Sequence, residues 1–269
     1  MSQLPEVREA DATPHIAAIY ADIKESAALP QVNLIFRYLA TYDGVLEWVW
    51  QALRPLYRSS ELADAADNLT RSIERPGLSP LMAVLAGDEL ATCKVVLDSY
   101  NSGNPQNLIA LTALVRALQR AATDQSSSKI VLTPRPATAE ASSVAFPTLP
   151  KRDEVSADNM ARIEKMTARH QGTPGVIPSM YLHLALWPSG LEATDIYLQP
   201  IIVAPDWQPL VASVIKQAGE TAVQLAPCIK LGAQDLDAAT LVEVGRTIEA
   251  FINQTIPELT TVGRLIAIE

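Results

Sequence analysis

With 269 residues, 48% of them apolar, the chain can bury a substantial core as one large domain or as two modules of about 130 residues. Thirty acidic against 21 basic side chains leave a net charge of −9, and no Lys/Arg cluster exists to neutralise phosphates, which excludes nucleic acid as a partner. No apolar stretch is long enough to span a bilayer; Val176 to Trp187 is interrupted by Pro178 and His183, so no membrane partner is expected.

Cys93 and Cys228 lack CxxC or Cys/His spacing, which argues against a disulfide framework or a zinc site, and Met1 to Glu6 carries no signal-peptide pattern. The expected location is therefore a reducing cytoplasm. Aromatic residues are few, at 5%, while Ala and Leu recur at helical spacing, so the expected fold class is all-α.

Thr13-Pro14 opens a helix to about Ser26, with Ile16, Ile19, Tyr20 and Ile23 on one stripe. Leu29-Pro30 introduces a second helix, Gln31 to Thr41, which Asp43-Gly44 breaks. A third carries Leu46, Trp50 and Leu53 up to Pro55, a fourth runs from Ser60 to Ile73, and Arg75 to Pro80 is loop-like. The next helix starts near Asp88 and is expected to end at Tyr100. Asn101 and Gly103 suit a helix C-terminus, and Asn104 before Pro105 suits the N-cap of a following helix. A corner of this kind can hold a water or an anion, although Asn104 would equally serve as a simple cap.

From Asp124 to about Ser156 the periodicity lapses into Ser126-Ser127-Ser128 and Pro134, Pro136, Pro147 and Pro150, the composition of a linker. The organisation expected is a helical unit at 1–125, a Pro/Ser-rich linker at 126–157 and a second helical unit at 158–269. The second unit repeats the first in order. Met160 to Ile163 answers Ile16 to Ile19, and Thr173-Pro174 answers Leu29-Pro30. Leu184-Ala185 answers Leu39-Ala40, Leu198-Gln199-Pro200 answers Leu53-Arg54-Pro55, and Ile256-Pro257 answers Asn104-Pro105. Two tandem repeats then form a pseudo-dimer around a central cavity, the natural place for a ligand. An internal pseudo-dimer does not require a second chain, so monomer and homodimer stay equally open.

The Asn101-x-Gly103-Asn104-Pro105 run, the Leu39-Ala40-Thr41 segment, the Trp187-Pro188 pair and the two-repeat plan together resemble the group I 2-haloacid dehalogenases over almost the whole chain. The resemblance implies an all-α pseudo-dimer that removes halide hydrolytically from a small 2-halocarboxylic acid, without metal or organic cofactor. It further implies that an Asp and the Asn before Pro hold and activate a water, which attacks the α-carbon directly with no ester intermediate. Asn104 matches that Asn, and Ser179 matches the residue before the Asp. Met180 stands where the Asp is expected, and a thioether cannot take a proton from water. Gln31 and Leu34 likewise replace the aromatic wall that the resemblance implies near the second helix.

His183, one turn beyond Met180, is chemically suited to act as a replacement base, with the satisfied core histidine as the plainer reading. Asn104 and His183 are thus the candidate catalytic residues. Gln31, Leu34, Tyr38, Ser179, Met180 and Tyr181 are the candidate substrate contacts, with Tyr38, the repeat partner of His183, facing it across the crevice. Arg37 is a candidate carboxylate partner, and Asn33 and Tyr181 can offer hydrogen bonds. The function expected is a dehalogenase-like hydrolase with an altered active site. The alternatives are a repurposed biosynthetic enzyme of cyclase or isomerase type, or a non-catalytic small-molecule binder using the same pocket.

Overall fold

Thr13 accepts the Ile16 N–H at 3.4 Å and Pro14 occupies the first helical position, so α1 (Pro14–Ala27) starts where its cap chemistry dictates. It stops at Ala28, whose left-handed backbone (φ 53°) returns its N–H to the last turn. A computed structural model describes residues 4–122, 131–136, 144–172, 176–233 and 236–269. Its helices account for 71% of the chain, and among the described residues there is no strand, only an isolated bridge between Ser59 and Pro134. The fold is all-α. Thr173-Pro174, one anchor of the sequence repeat, and Ser126 to Ser128 lie outside the described residues.

After α1 come α2 (Leu34–Leu39), α3 (Val45–Tyr57), α4 (Ser60–Arg71) and the long α5 (Gly87–Ala122). Beyond the central segment follow α6 (Ala157–Thr167), α7 (Ser179–Leu184), α8 (Pro188–Ile202), α9 (Trp207–Leu225), α10 (Ala238–Ala250) and α11 (Ile256–Ile266). A π-helical turn, Phe251–Thr255, joins the last two. The second helix is shorter than expected because side chains claim the backbone ahead of it. Glu9 Oε1 accepts the Val32 N–H at 2.9 Å, and Arg37 Nη1 donates to the Val32 carbonyl, which holds residues 31–33 extended.

The expected break at Asn101 to Asn104 is absent, and α5 runs straight through Pro105. Proline there removes one backbone donor, at a cost of about 3 kcal/mol in a helix interior. Two circumstances offset this cost. The Asn101 carbonyl that would have bonded residue 105 lies 3.4 Å from Thr70 Oγ1, which shares its hydrogen with the nearer Ala66 carbonyl at 3.0 Å. The continuing helix also buries Leu108, Ile109, Ala110, Leu111, Ala113 and Leu114 almost completely, so tertiary packing overrides local propensity.

Two hydrophobic clusters form the core. One gathers α1 to α4, the C-terminal half of α5, the later part of α9, α10 and the π-turn; the other gathers the N-terminal half of α5 with α6 to α8 and α11. Helix α5 therefore traverses both, packed against α9, α11 and α4. Its approach to α11 depends on Gly263, where an added Cβ would overlap Asn101 Oδ1 and sit 3.9 Å from Met180 Sδ. Gly263→Leu is expected to force α5 and α11 apart and to cost about 1–3 kcal/mol, read as a lowered denaturant midpoint.

Candidate functional site

With α5 continuous, Tyr100, Asn104 and Asn107 fall at positions i, i+4 and i+7 on one face. They form one wall of a buried hollow of about 40 Å³. Gln31, Asn33, Leu34, Ile35 and Arg37, in and around the first turn of α2, form the second wall. Val176, Pro178, Ser179 and Met180 close it from the start of α7, and Phe251, Thr255, Ile256 and Leu259 close it from the π-turn and α11. Such a volume accommodates about one water molecule, whose share of liquid volume is about 30 Å³. A larger occupant requires the walls to part.

Of the candidate residues, the structure thus brings together Asn104, Gln31, Leu34, Ser179 and Met180. Asn104 Nδ2 and Asn33 Oδ1 are both buried and meet no protein partner, which leaves one donor and one acceptor to bind a small polar guest. Asn107 is already engaged, accepting from Tyr57 Oη at 2.6 Å. Met180 is completely buried.

Arg37 is the cation of the lining set, and all of its guanidinium nitrogens are used. Nε donates to Glu6 Oε2 at 2.6 Å, Nη2 donates to Ser179 Oγ at 3.1 Å, and Nη1 takes the Val32 carbonyl. It thereby ties α2 to the first turn of α7 and to the extended N-terminal segment. That segment is held further by Val7 N–H to the Arg37 carbonyl at 2.9 Å and Tyr20 Oη to the Val7 carbonyl at 2.8 Å. Arg8 reaches the Leu149 and Pro150 carbonyls at 2.9 and 3.3 Å, so the N-terminal segment and residues 146–154 cover this side of the hollow together. Two outer clefts of about 550 and 360 Å³ lie along this cover, sharing Leu34, Val176 and Ser179 (the larger) or Gln31 and Arg37 (the smaller) with the hollow.

Three candidates lie elsewhere. The Tyr38 hydroxyl meets Tyr42 Oη at 3.1 Å and Thr247 Oγ1 at 3.0 Å, and Tyr181 Oη sits 2.7 Å from His170 Nε2. His183 is fully buried but is not among the lining side chains. Three residues beyond Met180, it lies about 4.5 Å further along the helix axis, behind Tyr100, whose hydroxyl is 2.7 Å from His183 Nδ1. The other ring nitrogen, Nε2, lies 3.3 Å from the Pro147 carbonyl. The supposed pairing of Tyr38 with His183 across the crevice is replaced by Tyr100 with His183. Burial pushes the His183 imidazole down to about 4 from 6.5, with the charges of Arg37 and Arg8 acting in the same direction against the Pro147 contact. Burial pushes the Tyr100 hydroxyl up.

Among the described residues no group of three or more His, Cys, Asp or Glu is placed to hold a metal ion, and no helix is long and apolar enough to cross a membrane. Sequence reasoning missed Tyr100 and Asn107. Their signal was the i, i+4, i+7 spacing with Asn104, hidden by the helix break expected at that point.

A 2-haloacid dehalogenase, configuration-inverting, from Alcaligenes xylosoxydans xylosoxydans is 25% identical over 237 residues, covering 80% of this chain and 75% of that protein. A protein of the same description from Pseudomonas sp. (strain 113) is 28% identical over 120 residues, or 42% of this chain and 39% of the relative. The chain is similar in sequence to the configuration-inverting 2-haloacid dehalogenases. No family model matches the chain. Its fold is that of a D-2-haloacid dehalogenase mutant, with TM-score 0.79 at 20% identity over 98% of this chain and 95% of the other. A D-2-haloacid dehalogenase in complex with L-LA gives TM-score 0.79 at 20% identity, covering 98% and 96%.

The His183 environment has a measurable signature. The unfolded imidazole takes up a proton near 6.5 and the folded one only near 4, so stability is full above about pH 6.5 and is lost as pH falls towards 4. For this buried group the loss is on the order of 3 kcal/mol. In denaturant titrations at successive pH values, the advantage of the parent chain over His183→Gln at pH 7 is expected to shrink by that amount at pH 4.

Proposed function

We propose that this protein is a hydrolase acting on a small 2-substituted carboxylic acid, a 2-halo acid being the first choice, by direct attack of a water held at Asn104. The observation that carries this reading is the convergence of Asn104, Ser179 and Met180 on one buried hollow beside Arg37. Asn104 offers an unpaired amide N–H to the water and Asn33 an unpaired carbonyl oxygen. Arg37 and the hydroxyl of Ser179 provide the positive end against which a carboxylate would bind, once the Glu6 carboxylate yields its place on the guanidinium. With methionine at 180, no carboxylate stands beside the water, and the proton must leave by another route.

The same reading takes 1–125 and 158–269, joined by 126–157, as tandem repeats closing on the hollow. Its support is that lining residues come from corresponding places in the two halves, Leu34 with Ser179, Ile35 with Met180 and Asn104 with Ile256. The repeats are units of sequence, since each hydrophobic cluster draws on both halves.

A second reading, an enzyme or binder that uses the pocket without activating water, is favoured by one observation. The described lining residues of the hollow include no Asp or Glu, and the thioether that replaces the expected Asp is fully buried. Halide release from both enantiomers of 2-chloropropionate separates the two. On the hydrolytic reading the parent chain releases halide and Met180→Asp raises kcat by roughly 10²-fold, the usual scale of a well-placed general base. Absence of halide release from both proteins, with folding verified by circular dichroism, excludes the hydrolytic reading.

A further inference from the structure

We propose that Tyr100 is the group that takes the proton from the Asn104-held water, passing its own hydroxyl proton to His183 behind it; this rests on the hydrolytic reading above. The direction of the relay follows from hydrogen-bond chemistry. The Pro147 carbonyl, 3.3 Å from His183 Nε2, can only accept, so Nε2 carries the imidazole hydrogen. That leaves Nδ1 as a bare acceptor, 2.7 Å from Tyr100 Oη, and the tyrosine must be the donor. Gln31 Oε1, 3.4 Å from Tyr100 Oη, is the more distant competitor for that single hydrogen; with the hydrogen given to His183 at 2.7 Å, the hydroxyl oxygen has lone pairs with which to accept, and Tyr100 lines the hollow one helical turn from Asn104. A water that accepts from Asn104 Nδ2 therefore shares a hollow of about 40 Å³ with the Tyr100 side chain.

The step balances without any further reactant. The water oxygen forms a bond to the α-carbon of the acid as the carbon–halogen bond breaks, and halide leaves with the bonding electron pair. One water proton passes to Tyr100 Oη while the tyrosine proton passes to His183 Nδ1, leaving a neutral tyrosine, an imidazolium and the 2-hydroxy acid. The imidazolium returns its extra proton through Tyr100 to solvent when the product departs. Burial holds the His183 imidazole at about 4, so it stands as a neutral acceptor at neutral pH. Edge-on contact with Phe146 and Tyr100, at 5.3 and 5.7 Å between ring centres, holds the ring in place. In this scheme Tyr100 touches the reacting water and His183 acts through it.

The test measures halide release from 2-chloropropionate by the parent chain, Tyr100→Phe, His183→Gln, Met180→Asp and the double variant Met180→Asp/Tyr100→Phe, each verified as folded by circular dichroism. The relay predicts that Tyr100→Phe and His183→Gln each lower kcat at least 10²-fold with KM changed less than threefold. It predicts an acidic limb near pH 4 in the parent kcat profile, and a double variant within tenfold of Met180→Asp, because an aspartate at 180 bypasses the tyrosine. Parent-like kcat in Tyr100→Phe overturns the relay and leaves the hydrolytic reading standing; halide release by Met180→Asp with none from the parent chain removes both, since the parent chain then performs no hydrolysis. Silence from both parent and Met180→Asp removes the hydrolytic reading itself, and the relay with it.

Discussion

A guanidinium held almost entirely out of water persists only if its donors are satisfied, and Arg37, at 4% exposure, meets that condition by drawing three separate pieces of chain towards one point. Glu6 comes from the extended N-terminal segment, the Val32 carbonyl from the approach to α2, and Ser179 from the first turn of α7. Lining residues of α2 and α7 are the immediate neighbours of those groups, while Phe251, Thr255, Ile256 and Leu259 come from the π-turn and α11. The site is therefore set by the requirement to satisfy one buried charge, and the wall contributed by α5 completes it.

On the proposed reading, the pocket takes an anionic guest within an acidic protein. A net charge of −9 repels carboxylates at long range, so attraction must be local. Arg37 provides it, with Glu6 serving as its internal counter-ion. An incoming carboxylate exchanges one anion for another at the guanidinium, which avoids stranding a bare charge but limits the net gain in binding.

Much of this was legible in the residues themselves. The helical class followed from composition and periodicity, and Thr13-Pro14 and the Asp43-Gly44 break fell close to real helix ends. Asn104, Ser179, Met180, Gln31 and Leu34 were located by motif, and all five line the hollow. The chain was misleading at Asn101 to Pro105, where every local signal indicates a helix end. The helix continues because Thr70 stands beside the freed carbonyl and because the following residues are buried, neither of which is encoded locally. That single misreading concealed Tyr100 and Asn107. His183 was located by its spacing from Met180, but the phenol ring against which it sits comes from a distant part of the chain.

The apolar interior has a bearing on how the molecule assembles. The N-terminal half of α5 is buried among helices of the later half of the chain, while α10 and the end of α9 are buried among those of the earlier half. Neither cluster is complete without helices from the other half of the chain. Melting is accordingly expected as one transition in place of two, and the hollow, walled by residues of both halves, takes shape only when both are in place.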